Sequence, residues 1–123
     1  MLLAPTAQIT FLPTADLAAT DAFYAGVLGL TLVRDQGLCR IYRTAPGAHL
    51  GFCERGYAVP EGVRVVLTLL VDDVQVAFEA VVARGAPPVS APTHSAAFAC
   101  TSAFVRDPNG YLVEFQRFDE SLA

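Results

Sequence analysis

"ITFLPTADLAATDAFYAGVLGLTLVRD" (residues 9–35) and "VVLTLLVDDVQVAFEAVVARGAPPVSA" (65–91) share one grammar, and that repetition decides the fold. Each segment opens on an apolar run of strand length and passes an aspartate. Each then continues as a helix-length apolar stripe, meets a glycine and ends in extended chain. Asp16, and Asp72 or Asp73, stand where a carboxylate caps a helix by accepting from amides that have no partner inside it. Gly29 and Gly85 follow the helices, where a left-handed residue is wanted. The first helix pairs Phe23 with Val27 and Tyr24 with Leu28 at i, i+4. The second carries Val74, Phe78, Val81 and Val82 on one stripe.

Short extended runs follow each helix. In the first half they are expected at about 30–35, 38–43 and 48–53, broken by "DQG" and "APG". In the second half they are expected at about 87–91, 98–106 and 111–118. "DPNG" (107–110) is a tight hairpin connection, because Pro108 presets φ and Gly110 tolerates a positive one. "ERGYAVPEG" (54–62) is a turn-rich loop between the halves. The coarse string is therefore βαβββ written twice, with a period of about 57 residues. It predicts one α+β domain over 1–123: module one at about 7–54, a linker at about 55–62 and module two at about 63–118.

Bulk properties narrow the function classes. The chain is 54% hydrophobic and only 16% charged, which argues against disorder. Its net charge is −4, it has no run of basic residues and no tryptophan, so the basic footprint that nucleic-acid binding needs is missing. The opening "MLLAPTAQITF" does not read as a signal peptide, and Val65 to Val71 is far too short to cross a bilayer. No membrane or nucleic-acid partner is expected. Cys39, Cys53 and Cys100 form an odd, sparse set with no CxxC. They are read as small buried apolar residues, better suited to a reduced cytoplasm than to a disulfide framework.

Three phrases carry a family resemblance: "ADLAATDAFYAGVLGL" (15–30), "VVLTLLVDDV" (65–74) and "FVRDPNGYLVEFQ" (104–116). In this order and spacing, over almost the whole chain, they resemble the vicinal oxygen chelate superfamily. That group holds glyoxalase I, the bleomycin- and fosfomycin-resistance proteins and the extradiol dioxygenases. The resemblance implies two βαβββ modules forming a curved mixed sheet around a cavity, with helices on the convex side and a homodimer as the usual assembly. It also implies a test. Metal-using members place one His, Glu or Gln on each of four strands, facing the cavity. The matching positions here are Ile9, Gly51, Val66 and Glu114. Only Glu114 can ligate, and catalytic metal sites need about three protein ligands. No metal and no other cofactor is therefore expected.

Strand parity supplies the rest of the candidate site. Side chains alternate between the faces of a strand, so Leu112, Glu114 and Gln116 point one way, while Tyr111, Val113 and Phe115 point the other. The same parity puts Ile9, Phe11, His49, Gly51, Cys53, Arg64, Val66, Thr68 and Leu70 on inward faces. Leu50, Phe52, Leu67, Leu69 and Val71 are placed under the helices. A concave face of Ile, Val, Phe and Leu with few polar groups is what a small-molecule site looks like, and Phe11 can stack on a planar ligand. The plain alternative is a filled second core.

Glu114 is either a solvated acid, a hydrogen-bond acceptor in a pocket or a remnant ligand. His49 is either a structural residue or half of an acid–base couple with Glu114. A one-residue slip on the first strand would offer Gln8 and His49 as an off-register metal pair. His94 belongs to a lid or to plain surface, and Arg40 and Arg43 either meet an anion or solvate an edge. The leading expectation is metal-independent binding of a small apolar or aromatic molecule, similar in logic to bleomycin-resistance proteins. The rivals are a metal-dependent lyase, isomerase or dioxygenase resembling glyoxalase I, and a structural domain with a filled cavity.

Overall fold

Both helices begin on the aspartates that the repeat picks out. The Oδ1 atom of Asp16 accepts from the amide of Ala19 at 3.0 Å, and that of Asp73 from the amide of Val76 at 3.0 Å. Both capping residues are extended while the chain beyond them is helical, the usual conformation of an N-cap. Gly29 (φ 75°) and Gly85 (φ 104°) then end the helices in the left-handed region, where a Cβ would be strained. The computed structural model describes residues 2–54 and 64–122. Apart from Glu54, the connecting loop expected from the sequence lies outside the described residues. Contacts gather the chain into two units, Met1–Glu61 and Gly62–Ala123.

The first unit runs β1 (Gln8–Pro13), α1 (Leu17–Asp21), a π-helical turn (Ala22–Val27), β2 (Thr31–Asp35), β3 (Cys39–Ala45) and β4 (Ala48–Cys53). Its sheet order is β1-β4-β3-β2, with β1 parallel to β4 and the other pairs antiparallel. The second unit repeats the plan with β5 (Val66–Leu70), α2 (Val74–Ala83), β6 (Pro88–Ser95), β7 (Cys100–Arg106) and β8 (Leu112–Phe118). Its order is β5-β8-β7-β6, with β5 parallel to β8. Each unit is thus a βαβββ module: a four-stranded mixed sheet with its helix against one face.

The helix-covered faces hold the cores. In the first unit Tyr24, Tyr42 and Phe52 are fully buried, and the ring of Tyr24 lies 4.4 Å from that of Phe52 and 6.1 Å from that of Tyr42. The Tyr42 hydroxyl donates to Asp21 Oδ1 at 2.7 Å. Burial, and then the carboxylate of Asp21, push its ionisation well above the ordinary tyrosine range. In the second unit Leu67, Val113, Phe115, Ala103 and Val105 face Val74 and Val81 of α2. Leu50, Phe52, Leu67, Val113 and Phe115 are buried, as parity requires, while Leu69 and Val71 are only half-buried.

Three local features depart from the sequence reading. The first helix switches to i→i+5 bonding, with the Leu28 amide donating to the Phe23 carbonyl at 2.8 Å. Such a turn rotates less per residue, so the adjacent Phe23 and Tyr24 both face the sheet. Strand β6 continues to Ser95, where a loop is expected from about 92, because Thr93 and His94 pair with Ser102 and Thr101 of β7. Finally, Cys39 and Cys53 form a disulfide, which overturns the expectation of three free thiols. All three cysteines are buried, and Cys100 is free. The bond follows from register: the β3–β4 hairpin sets Cys39 directly opposite Cys53, with Cα atoms 4.1 Å apart.

Candidate functional site

The face of the first sheet that the helix does not cover is organised in rows running across all four strands. Cross-strand partners share a face. One row reads Thr31–Arg43–His49–Ile9, and the next reads Arg34–Ile41–Gly51–Phe11. A third joins Cys39 to Cys53 and Pro13. The first two rows border a cleft of about 640 Å³, to which they contribute Ile9, Phe11, Ile41, Arg34, Arg43 and His49 and which Val33 and Gln36 also line. Ile9 and Phe11 on this face are about half exposed, at 42% and 49%.

Phe11 and Gly51 form the central contact. A Cβ on Gly51 would fall within the Phe11 ring, 2.5 Å from Cε1 and 3.2 Å from Cγ. The Cδ1–Cε1 edge of the ring therefore packs against the glycine, and only glycine leaves room for it there. Gly51 is the position on the fourth strand to which the resemblance assigns a ligand. Here an aromatic ring from the neighbouring strand occupies the space into which a ligating side chain would project.

His49 places Nδ1 3.2 Å from the carbonyl oxygen of Gln8. A carbonyl only accepts, so Nδ1 carries the proton in that bond. Ile9, and not Gln8, pairs with His49 across the β1–β4 ladder, so the Gln8 side chain lies on the other face of β1. The off-register Gln8–His49 metal pair is therefore not formed. Arg40, too, lies on the helix-covered face, contacting Asp21 at 3.9 Å and Asp35 at 3.6 Å. It is an internal ion-pair residue and not a ligand-facing one. Arg43 is on the cleft.

The corresponding face of the second sheet has a different chemistry. Its rows read Val66–Leu112–Arg106, Thr68–Glu114–Phe104 and Leu70–Gln116–Ser102. Glu114 Oε1 accepts from the Thr68 hydroxyl at 2.6 Å, and Oε2 from the Gln116 amide at 3.2 Å. Gln116 also donates to the Sγ of Cys100 at 3.4 Å. Parity alone placed Val66, Thr68, Leu112, Glu114 and Gln116 together, and the register unites them. Arg64 precedes β5 and is exposed. His94 lies on β6, half exposed, with Nε2 3.0 Å from Asp119 Oδ2.

The family's metal set does not fit these residues. Ile9 and Val66 have no donor atom, and the Gly51 position is filled by the Phe11 ring. Glu114, which accepts from Thr68 and Gln116, is the one donor left among the four positions, and one carboxylate falls short of the roughly three protein ligands such a site needs. Among the described residues, no group of three His, Cys, Asp or Glu side chains could hold an ion. Sequence reading missed Val33, Arg34, Gln36 and Ile41. A register shift between Leu32 and Arg34 in β2 turns Arg34 onto the cleft face, and such a bulge leaves no local signature in the sequence.

A family model described as the Glyoxalase/Bleomycin resistance protein/Dioxygenase superfamily matches residues 6–115. No curated protein matches the chain in sequence. Among solved structures it resembles TioX from Micromonospora sp. ML1, with a TM-score of 0.77 and 21% identity over 90% of this chain and 97% of that one. It also resembles a glyoxalase/bleomycin resistance protein/dioxygenase from Nocardioides (TM-score 0.76, 21% identity, 100% of this chain and 93% of that one). A third likeness is to a lactoylglutathione lyase from Agrobacterium tumefaciens (TM-score 0.70, 23% identity, 88% and 90%). At these identities the likeness establishes the fold. Among the described residues no helix is long and apolar enough to cross a membrane.

Proposed function

The chain belongs to the glyoxalase/bleomycin resistance/dioxygenase superfamily, and on that premise we propose that it binds a small, largely apolar or aromatic molecule without a metal. Its role is then sequestration in the manner of bleomycin-resistance proteins. One observation carries the reading: the Phe11 ring lies over Gly51, at the position where metal-using relatives present a ligand, and it floors an open cleft with Ile9 and Ile41. Exposed aromatic and branched side chains in a concavity, with a few polar groups at the margin, suit an apolar ligand. The glyoxalase-like alternative draws on Glu114, whose two oxygens already have partners on the second sheet.

A ligand panel read by thermal unfolding tests this. An aromatic compound at about a hundred times its Kd is expected to stabilise the protein by ~2.7 kcal/mol, and Phe11→Ala should remove that shift. If no apolar or aromatic compound raises the melting temperature, the proposal fails. A homodimer is part of the reading, and sedimentation of the purified chain checks it. So is a cytoplasmic setting, in which the Cys39–Cys53 bond would face a reducing thiol pool. Alkylation mapping of the chain in intact cells checks that setting.

A further inference from the structure

The cleft of the first sheet is electrically one-sided. Crossing the two central rows from β1 to β2, the surface passes from Ile9 and Phe11, through His49 and Gly51, to Arg43 and Arg34. Among the described residues no carboxylate lines the cleft, although the chain as a whole carries a net charge of −4. Among the described residues, neither guanidinium has an acidic partner. The ion pairs present use Arg40 and His94. The nearest acid in sequence, Asp35, contacts Arg40 and accepts from the Gly37 amide at 2.9 Å. The bulge in β2 is what brings Arg34 to this face beside Ile41, next to the row that holds Arg43. Two uncompensated guanidinium groups at one end of an apolar cleft, in an acidic protein, form a site for an anion and not merely a solvated edge.

We propose that the ligand of this cleft is an aromatic or apolar molecule bearing a carboxylate. Its planar body lies on Phe11 and Ile9, and its carboxylate meets Arg43 and Arg34. Adjacent strands are about 4.8 Å apart, so the backbones carrying Arg43 and Arg34 stand two and three strands from Phe11, roughly 10–14 Å, and the long arginine side chains must reach back over part of that span to meet the carboxylate. The His49 Nδ1 proton is held by the Gln8 carbonyl, which leaves Nε2 as an acceptor for a ligand hydroxyl between the two ends. This inference rests on the reading of the cleft as a ligand site and adds the charge of what enters it.

Two probes of nearly equal shape separate the two claims: naphthalene-2-carboxylate and its neutral amide. The chain has no tryptophan, so naphthalene emission reports binding directly. The carboxylate is expected to bind about tenfold more tightly than the amide at low salt, the scale of two solvent-exposed charge-assisted contacts. That preference should shrink on raising the salt to about 0.5 M, and the amide affinity should not change. In the double variant Arg34→Gln/Arg43→Gln the preference disappears and amide binding persists, which also shows that the variant is folded. Equal affinities in the wild type, or a preference that survives in the double variant, overturn the carboxylate assignment while leaving the apolar site standing. Failure of both probes to bind overturns the assignment together with the reading beneath it.

Discussion

The two sheets of this chain share a plan but have spent the same positions differently. On the first, the uncovered face carries a ring over a glycine, with two guanidinium groups lacking acidic partners among the described residues at one end. On the second, the equivalent face carries a short polar ladder, Thr68–Glu114–Gln116–Cys100, whose members bond to one another. A metal site needs donors that are held in place yet have lone pairs to give. At the four matched positions the first face carries Ile9 and Gly51, which offer no donor, and the second carries Val66 and Glu114, which offer one. The proposed ligand site accordingly lies on the first face.

The largest effect expected concerns the bond that closes that face. The Cys39–Cys53 disulfide spans 14 residues of chain. A loop of about 15 residues is worth ~3 kcal/mol in the chain-entropy account. Cys39→Ser with Cys53→Ser, or reduction of the wild type, should lower stability in denaturant titration by that order. Cys100→Ser should do much less, since that cysteine forms no disulfide and a serine hydroxyl can still accept from Gln116. Equal losses would break the distinction between the two faces.

Next comes the ring over the glycine. Gly51→Ala puts a methyl group inside Phe11, and relieving such an overlap costs roughly 1–3 kcal/mol. The loss should be recovered largely in Gly51→Ala/Phe11→Ala, because contacting residues couple and distant ones add. A simple sum of the two single losses would mean that the ring is free to move off the glycine.

Glu114→Gln should cost less, about 1 kcal/mol, since an amide keeps one acceptor for Thr68. It should leave ligand affinity at the first sheet unchanged. A tenfold loss of affinity would move the site to the second face.

The smallest effect concerns Tyr42. Its ionisation is raised in the folded chain by burial and by Asp21. An unfolded tyrosine ionises near pH 10, so the folded state has full stability below that pH and loses it as the pH rises further. Unfolding midpoints followed above about pH 10 should fall for the wild type and fall less for Tyr42→Phe.

How far the sequence foretold this molecule depends on the range of the interaction. Asp16, Asp73, Gly29 and Gly85 act within one or two turns of chain, and all four take the roles their positions suggest. Side-chain parity is equally local, and it brought His49, Gly51, Ile9 and Phe11 to one face and Thr68, Glu114 and Gln116 to another. What depends on register was hidden. The disulfide needs Cys39 opposite Cys53, and no spacing rule announces a pairing across a hairpin. Arg34 faces the cleft only because β2 slips by one residue at Val33, and such a slip reverses every face that parity assigns. The covering of Gly51 by Phe11 is a side-chain event between strands far apart in sequence.

Metal retention tests the central claim most directly. Purified protein is incubated with nickel, zinc, manganese and iron(II) in turn, excess ion is removed, and what remains is quantified beside Glu114→Ala. The account predicts well under one ion per chain, roughly a tenth or less, with no change in the variant, because one engaged carboxylate does not replace about three free ligands. About one ion per chain, lost in Glu114→Ala, would contradict it and return the molecule to metal-assisted chemistry.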